Sequence, residues 1–420
     1  MELDAISQPE LEQIERVGGA DLVIGIFDLE HQEGGSTAVA MTRDALAELS
    51  MPLRAIVVCN NGSHGSAANA PEVNGDDRSL TVSSWNLPIP ASGETPLQSI
   101  SAAYRHVFTV GSKLRVRACG VIAAGDHQAT RQWIHRLIQP VVDLGFDFVA
   151  PCYARQKMEG LLNRNVLSPL HRALYGEQLE NPMGPDFGLS GKLLQRILGQ
   201  DSIRRGGSEQ NILAAISSTA ACGGFQVCET HLGVRTQRPT DWGNLSTLLA
   251  EVLGATFVDM EGRAAHWQSI RGSKILPKFG VTEASPPDTG VVDAHGMIES
   301  FQLGTQNLQD VWGLILPPTT LLELRRLSRL PEDRFRIPDQ LWVRIVYDFA
   351  LGHRLRTISR DHLLRSLTPL YLGWIASYAL EIQTAGLGEV DSRLERLSKA
   401  YEDNKSYLVS RWRWPDRFNP

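Results

Sequence analysis

The chain has 420 residues, 42% of them hydrophobic and 21% charged, which at about 100–200 residues per domain predicts two units or one large α/β unit with an extension. A formal net charge of −6 excludes the broad basic face of a nucleic-acid-binding protein, so no nucleic acid is expected as a partner. The longest apolar stretch near the C-terminus, Leu367 to Leu380, falls short of the roughly 20 residues that a bilayer span needs, so no membrane span is expected.

The first 150 residues alternate apolar strands with helical patterns. Met1 to Gly18 carries acids and no apolar run, so no secretion signal is expected. Asp21 to Phe27 reads as a strand buried on both faces, followed by a helix over Thr37–Leu49. Leu53 to Cys59 is the next strand and stops at Asn60-Asn61-Gly62, which is also a turn pattern. Leu80–Ser84, a helix over Thr95–Phe108, a strand over Arg117–Ala123, a helix over Arg131–Leu144 and a strand over Asp147–Pro151 complete the series. This alternation predicts a doubly wound, mainly parallel sheet, with ligands beyond the carboxyl ends of its strands. Loops at 28–32, 60–65 and 125–128 stand at those ends and are expected to line one crevice.

Asn244 to Ser269 is helical in its spacing, and a Gly/Pro-rich connection runs from Leu276 to Gly296. Helices are then expected over Leu321–Leu330, Pro338–Leu351, Arg360–Thr384 and Asp391–Trp412. The division is placed near residue 285: 1–285 for the α/β domain and 286–420 for a mainly helical domain. That helical part offers a surface for a homo-oligomer. The five cysteines (Cys59, Cys119, Cys152, Cys222, Cys228) form no CxxC pair, so reduced core thiols in a cytoplasmic protein are expected.

Between Val121 and Gly191 the sequence is distinctive: Val121 to His127, Trp133 to Pro140, Phe146 to Arg155, Pro169 to Gly176 and Asn181 to Gly191. With Gly206 to Glu209, His231 to Arg235, Trp267, Phe279-Gly280 and Leu367 to Gly373, these blocks resemble GT-A glycosyltransferases of the family-2-like group, those related to mannosylglycerate synthase and glucosyl-3-phosphoglycerate synthase. The resemblance implies a GT-A α/β fold that binds a nucleotide-diphosphate sugar. It further implies transfer of a hexose to a small polar, glycerate-like acceptor. In such enzymes a divalent metal, Mg or Mn, bridges the two phosphates through an Asp-x-Asp and a later His, and neutralises the leaving diphosphate.

Several positions carry over. Asp186 and Glu209 match acids near the sugar and acceptor and are the candidate catalytic residues. Tyr153, Arg155 and Asn163 match the acceptor loop. Asp28, Asn60, Asn61 and Asp126 are the candidate nucleotide and sugar contacts. The metal positions depart from the pattern: counted from Trp133, the two Asp positions fall on Ala123 and Gly125, and the His position, counted from Gly233-Val234-Arg235, falls on Gln237. The Gly-Lys-Gly loop reads Ser92-Gly93-Glu94. Asp126, His127 and Gln237 are the remaining candidate metal ligands. Asp126 and Asp186 could each instead cap a helix, and His231, inside an apolar run, reads as a satisfied core histidine. Two functions therefore stay open: an active hexosyltransferase, with or without a metal, or a catalytically impaired relative that binds sugar or nucleotide as a regulatory partner.

Overall fold

The computed structural model describes residues 8–27, 34–50, 53–59, 84–86, 96–123, 131–200, 212–235, 244–286 and 292–415. Short apolar runs become β1 (Leu22–Phe27), β2 (Ala55–Cys59) and β4 (Ala118–Ala123), and Ser84–Asn86 forms the three-residue β3. β1 and β4 are buried at every residue, as strands covered on both faces must be. Helices α1 (Gln8–Val17), α2 (Gly34–Leu46), α3 (Pro96–Lys113) and α4 (Arg131–Val142) alternate with them. Next come β5 (Phe148–Ala154), a π-helical turn (Asn163–Leu167), α5 (Ser168–Tyr175), β6 (Phe187–Ser190), α6 (Gly191–Leu198), α7 (Ile212–Gly223) and β7 (Val227–Val234).

The remainder consists of α8 (Leu245–Gly262), α9 (Ala264–Trp267), β8 (Lys278–Phe279), α10 (Ala294–Asn307), α11 (Gln309–Gly313), α12 (Pro318–Leu327), α13 (Asp339–Leu355), α14 (Arg360–Ser366), α15 (Thr368–Ile382), α16 (Leu387–Asp403) and α17 (Lys405–Arg413). Of the strand expected over Leu80–Ser84, only Ser84, the first residue of β3, lies among the described residues. The single helix expected over Arg360–Thr384 is two, because Pro369 cannot continue a preceding helix but fits the first turn of a new one. The helix expected over Asp391–Trp412 likewise divides at Asn404. Among the described residues, no helix is long and apolar enough to cross a membrane.

The chain forms two units, each discontinuous in sequence. One holds residues 1–154, 181–238 and 276–284; the other holds 155–180, 239–275 and 285–420. The first contains the whole sheet, in the order β3-β2-β1-β4-β6-β5-β7-β8. Every pairing is parallel except those of β6, which runs antiparallel to both β4 and β5. The α/β class and the mainly parallel sheet expected from the sequence are thus present, as is the helical C-terminal part. Ile134, Leu137 and Ile138 of α4 pack with Ile24, Ile26 and Ile122 on one face. On the other, Tyr104 and Phe108 of α3 meet Phe187 edge-on, with centroids 5.4 and 6.1 Å apart. Cys119, Cys152 and Cys228 are buried, and burial pushes the Cys119 thiol up.

The second unit is helical, built on aromatic residues and on buried arginines paired with more exposed carboxylates. Trp342 and Trp374 stack at 5.3 Å, and Trp374 is 0% exposed. Arg172 of α5 makes a two-pronged pair with Glu395 of α16, at 2.6 and 2.8 Å. Arg393 grips Asp339 at 2.6 and 2.9 Å and Glu381 at 2.6 Å. The C-terminal tail docks within this unit through Trp412, whose ring meets Trp267 at 5.2 Å.

Asp348 is buried between α13 and α17, where it accepts from the Tyr407 hydroxyl at 2.9 Å and pairs with Arg411 at 3.0 Å. Burial pushes its carboxyl up to about 7, against the opposing pull of Arg411, Tyr407 and Arg344. The unfolded chain gives up this proton near the ordinary 3.8 and the folded one only near 7. This site therefore favours folding most in acid, and the advantage is lost as pH rises through that window. Asp348→Asn is expected to shrink the difference in urea midpoint between about pH 5 and about pH 8 relative to the parent chain. An unchanged difference would show that the site does not titrate in this range.

Candidate functional site

The antiparallel direction of β6 positions the site. Because β6 runs against β4 and β5, the residue before its first, Asp186, stands with the carboxyl ends of those strands. A parallel β6 would carry it to the opposite edge of the sheet. Asp186 precedes a strand and so does not cap a helix. The approach to it is fixed in detail. Asn181 donates from Nδ2 to the Pro151 carbonyl at 2.8 Å, and the Tyr104 hydroxyl donates to the Pro185 carbonyl at 2.7 Å. The Tyr104 ring also lies 5.4 Å from that of Phe27, at the end of β1.

Asp186 is 0% exposed, and its carboxylate is fully engaged. Oδ1 accepts from the Ala123 N–H at 2.8 Å. Oδ2 accepts from the Tyr153 hydroxyl and from Nη1 of Arg235, with which it forms a salt bridge. The other terminal nitrogen of Arg235 donates to the Ala123 carbonyl at 3.0 Å. Both backbone groups of Ala123, the last residue of β4, are therefore held by one ion pair. The Arg235 guanidinium also lies over the Tyr153 ring, 5.4 Å from its centroid. Burial alone would lower the Arg235 pKa; the Asp186 carboxylate outweighs it, so the group is held above the usual guanidinium value. A charge pair this buried is maintained only with full hydrogen bonding, which these contacts supply.

The structure thus joins Asp186 and Tyr153 and adds two residues with other roles in the sequence reading. Ala123 stood there as a lost metal position, and Arg235 only as the anchor from which Gln237 was counted. The signal for Arg235 was its place at the end of an apolar strand, where a cation faces the crevice edge. Along β7, the Arg136 guanidinium donates to the His231 carbonyl at 2.8 Å, and Nε2 of half-buried His231 lies 3.1 Å from the Thr282 hydroxyl. One strand position earlier on the same face, buried Glu229 pairs with Lys278 at 3.1 Å.

Arg155 and Asn163 belong to the helical unit. A β-carbon on Gly160 (φ +63°) would lie 2.0 Å from the Arg155 guanidinium, so this glycine makes room for the arginine. Asn163 begins the π-helical turn and donates from Nδ2 to the Glu180 carbonyl. Asp28, Asn60, Asn61, Asp126, His127, Glu209 and Gln237 lie outside the described residues. Asp28 follows β1 directly in the chain, Asn60 follows β2, and Asp126 and Gln237 follow Ala123 and Arg235 by three and two residues.

Ala123 and Asp186 do not by themselves form a site for a divalent cation. Ala123 has no side-chain donor, and the Asp186 carboxylate is neutralised by Arg235. A second cation beside that guanidinium would be repelled.

Neither a comparison with protein-family models nor one with curated proteins finds a match. Among solved structures, the chain is similar to glucosyl-3-phosphoglycerate synthase from Mycobacterium tuberculosis in complex with Mn²⁺, UDP-glucose and phosphoglyceric acid. The identity is 17% over 61% of this chain and 83% of that one, with a TM-score of 0.35. It is also similar to mannosyl-3-phosphoglycerate synthase from Rubrobacter xylanophilus, at 16% identity over 62% of this chain and 80% of that one, with a TM-score of 0.39. At such identities and TM-scores, what those proteins bind does not transfer to this chain.

Proposed function

We propose that this is a GT-A-type protein that binds a nucleotide-diphosphate sugar beyond the carboxyl ends of its parallel strands and transfers a hexose to a small polar, glycerate-like acceptor. The observation that carries the reading is the buried Asp186–Arg235 pair gripping both backbone groups of Ala123. It supports a strand edge built to hold the start of the segment containing Asp126 and His127. Asp28, Asn60, Asn61 and Asp126 contact the nucleotide and sugar in this reading; Glu209 faces the acceptor, with Tyr153, Arg155 and Asn163 shaping its pocket.

Bond cleavage leaves a diphosphate with added negative charge, and a fixed, desolvated cation stabilises such charge without reorganising. Arg235 is the cation available at this edge. No step is assigned to a metal. Asp186, its oxygens all engaged, acts as a positioning residue that keeps Arg235 and the Tyr153 hydroxyl in place. That engagement also favours a second reading, a protein that binds the nucleotide sugar without turnover. Thermal shift with a panel of nucleoside diphosphates, followed by assay of diphosphate release on adding glycerate-like acids, separates these. Binding with release is the expected result. Binding without release under any acceptor supports the second reading, and no nucleotide binding overturns both.

A further inference from the structure

At the opposite edge of the sheet, the α/β unit has a second concave site. A cavity of about 550 Å³ opens where β4 and β5 begin and β6 ends, a volume in the range of small-molecule pockets. Arg115, Arg117 and Lys192 line it, against a single carboxylate, Asp147. That carboxylate is already occupied: Oδ1 accepts from the Ser190 hydroxyl at 2.7 Å and Oδ2 from the Gln226 N–H at 3.1 Å. Among the described residues, no ion pair joins Arg115, Arg117 or Lys192 to an acid. Three exposed cations without an ion-pair partner among the described residues thus line one concavity, in a chain whose net charge is −6.

The floor is built rather than incidental. The Gly191 N–H donates to the Arg117 carbonyl at 2.8 Å, and a β-carbon on Gly191 would lie 2.0 Å from the Val116 carbonyl oxygen. Any larger residue would force the end of β6 away from the start of β4 and open the floor. Arg115 sits in the left-handed region (φ +54°), a conformation disfavoured for a non-glycine residue. Val116, Val141 and Phe146 supply an apolar wall behind the charges.

We propose that this cavity binds a soluble phosphate-bearing small molecule, its phosphate among Arg115, Arg117 and Lys192 and its body against the apolar wall. Phosphate suits the set because guanidinium groups take its oxygens in pairs and an ammonium adds a point charge. Lys192 also stands in the first turn of α6, where the positive end of the helix dipole favours an anion. The site is independent of the nucleotide crevice, which lies beyond the other ends of these strands.

The test reads Lys192 itself in the full chain. Lysines are acylated with a limiting ester, and modification at Lys192 and at exposed Lys399 is followed by peptide mass mapping with inorganic pyrophosphate as the probe. Lys192 is expected to react about tenfold more slowly at pyrophosphate ten times above its Kd, as mass action requires. Lys399 should keep its rate, and Arg117→Ser should abolish the protection. Protection by phosphatidylglycerol vesicles but not by pyrophosphate would overturn the soluble ligand in favour of a lipid headgroup. An unchanged Lys192 rate with both probes would overturn the site. Pyrophosphate held only in the nucleotide crevice leaves Lys192 unprotected, so this outcome does not depend on the function proposed above.

Discussion

Arg235→Met is expected to destabilise the α/β unit by about 3–5 kcal/mol, the cost of stranding one partner of a buried ion pair. Asp186 is 0% exposed and would lose the guanidinium that balances its charge. The Ala123 carbonyl would lose its donor in the same change. Asp186→Asn should cost less, because the amide keeps an acceptor for the Ala123 N–H and the Arg235 side chain retains 14% exposure to water. The double variant should be clearly more stable than the sum of the two single losses implies, with a coupling of about 0.5–3 kcal/mol for groups in direct contact. Urea unfolding of all four proteins measures this. Strict additivity would mean that the pair is not the unit described here.

Trp374→Ala is the second large expected effect, a loss of about 3–5 kcal/mol in the helical unit. Trp374 is 0% exposed, stacks on Trp342 with their planes 7° apart, and donates from Nε1 to Asn165 Oδ1 at 3.3 Å. The Arg393 guanidinium lies 5.5 Å from its ring. Truncation removes the ring contacts and opens a cavity beside Asn165, itself fully buried. Trp374→Phe keeps an aromatic face but leaves Asn165 Oδ1 short of a donor, a smaller loss of about 1–3 kcal/mol. Denaturant midpoints followed by tryptophan fluorescence and by far-UV circular dichroism check the order. If alanine cost no more than phenylalanine, the stacked pair would not be the centre of this unit.

The strands were legible because both of their faces are covered: Leu22 to Phe27 and Ala118 to Ala123 read as unbroken apolar runs and are buried throughout. Their parallel order followed from alternation with helices. The direction of β6 did not. Its four residues, Phe187–Ser190, form a run too short for a period, and antiparallel pairing with β4 and β5 is a non-local property. Asp186 was legible as a candidate, but its partner was not, since Arg235 lies 49 residues away and the two meet only through the sheet order. The grouping of residues 155–180 and 239–275 with the C-terminal helices was hidden for the same reason. Periodicity shows that a segment is helical and buried on one face, not which helices share its core. The splits at Leu367 and Asn404 are local breaks within continuous amphipathic patterns.

Calorimetric titration of a nucleotide-diphosphate sugar into the full chain, with EDTA and then with Mn²⁺, tests the central proposal most directly. The buried Arg235 beside Ala123 predicts binding in EDTA with an affinity that Mn²⁺ leaves within about threefold, less than 1 kcal/mol. Arg235→Lys, which keeps the charge but not the fork that spans Asp186 and Ala123, should weaken that binding at least about tenfold. Binding that appears only with Mn²⁺, or an absence of binding in both conditions, would contradict it.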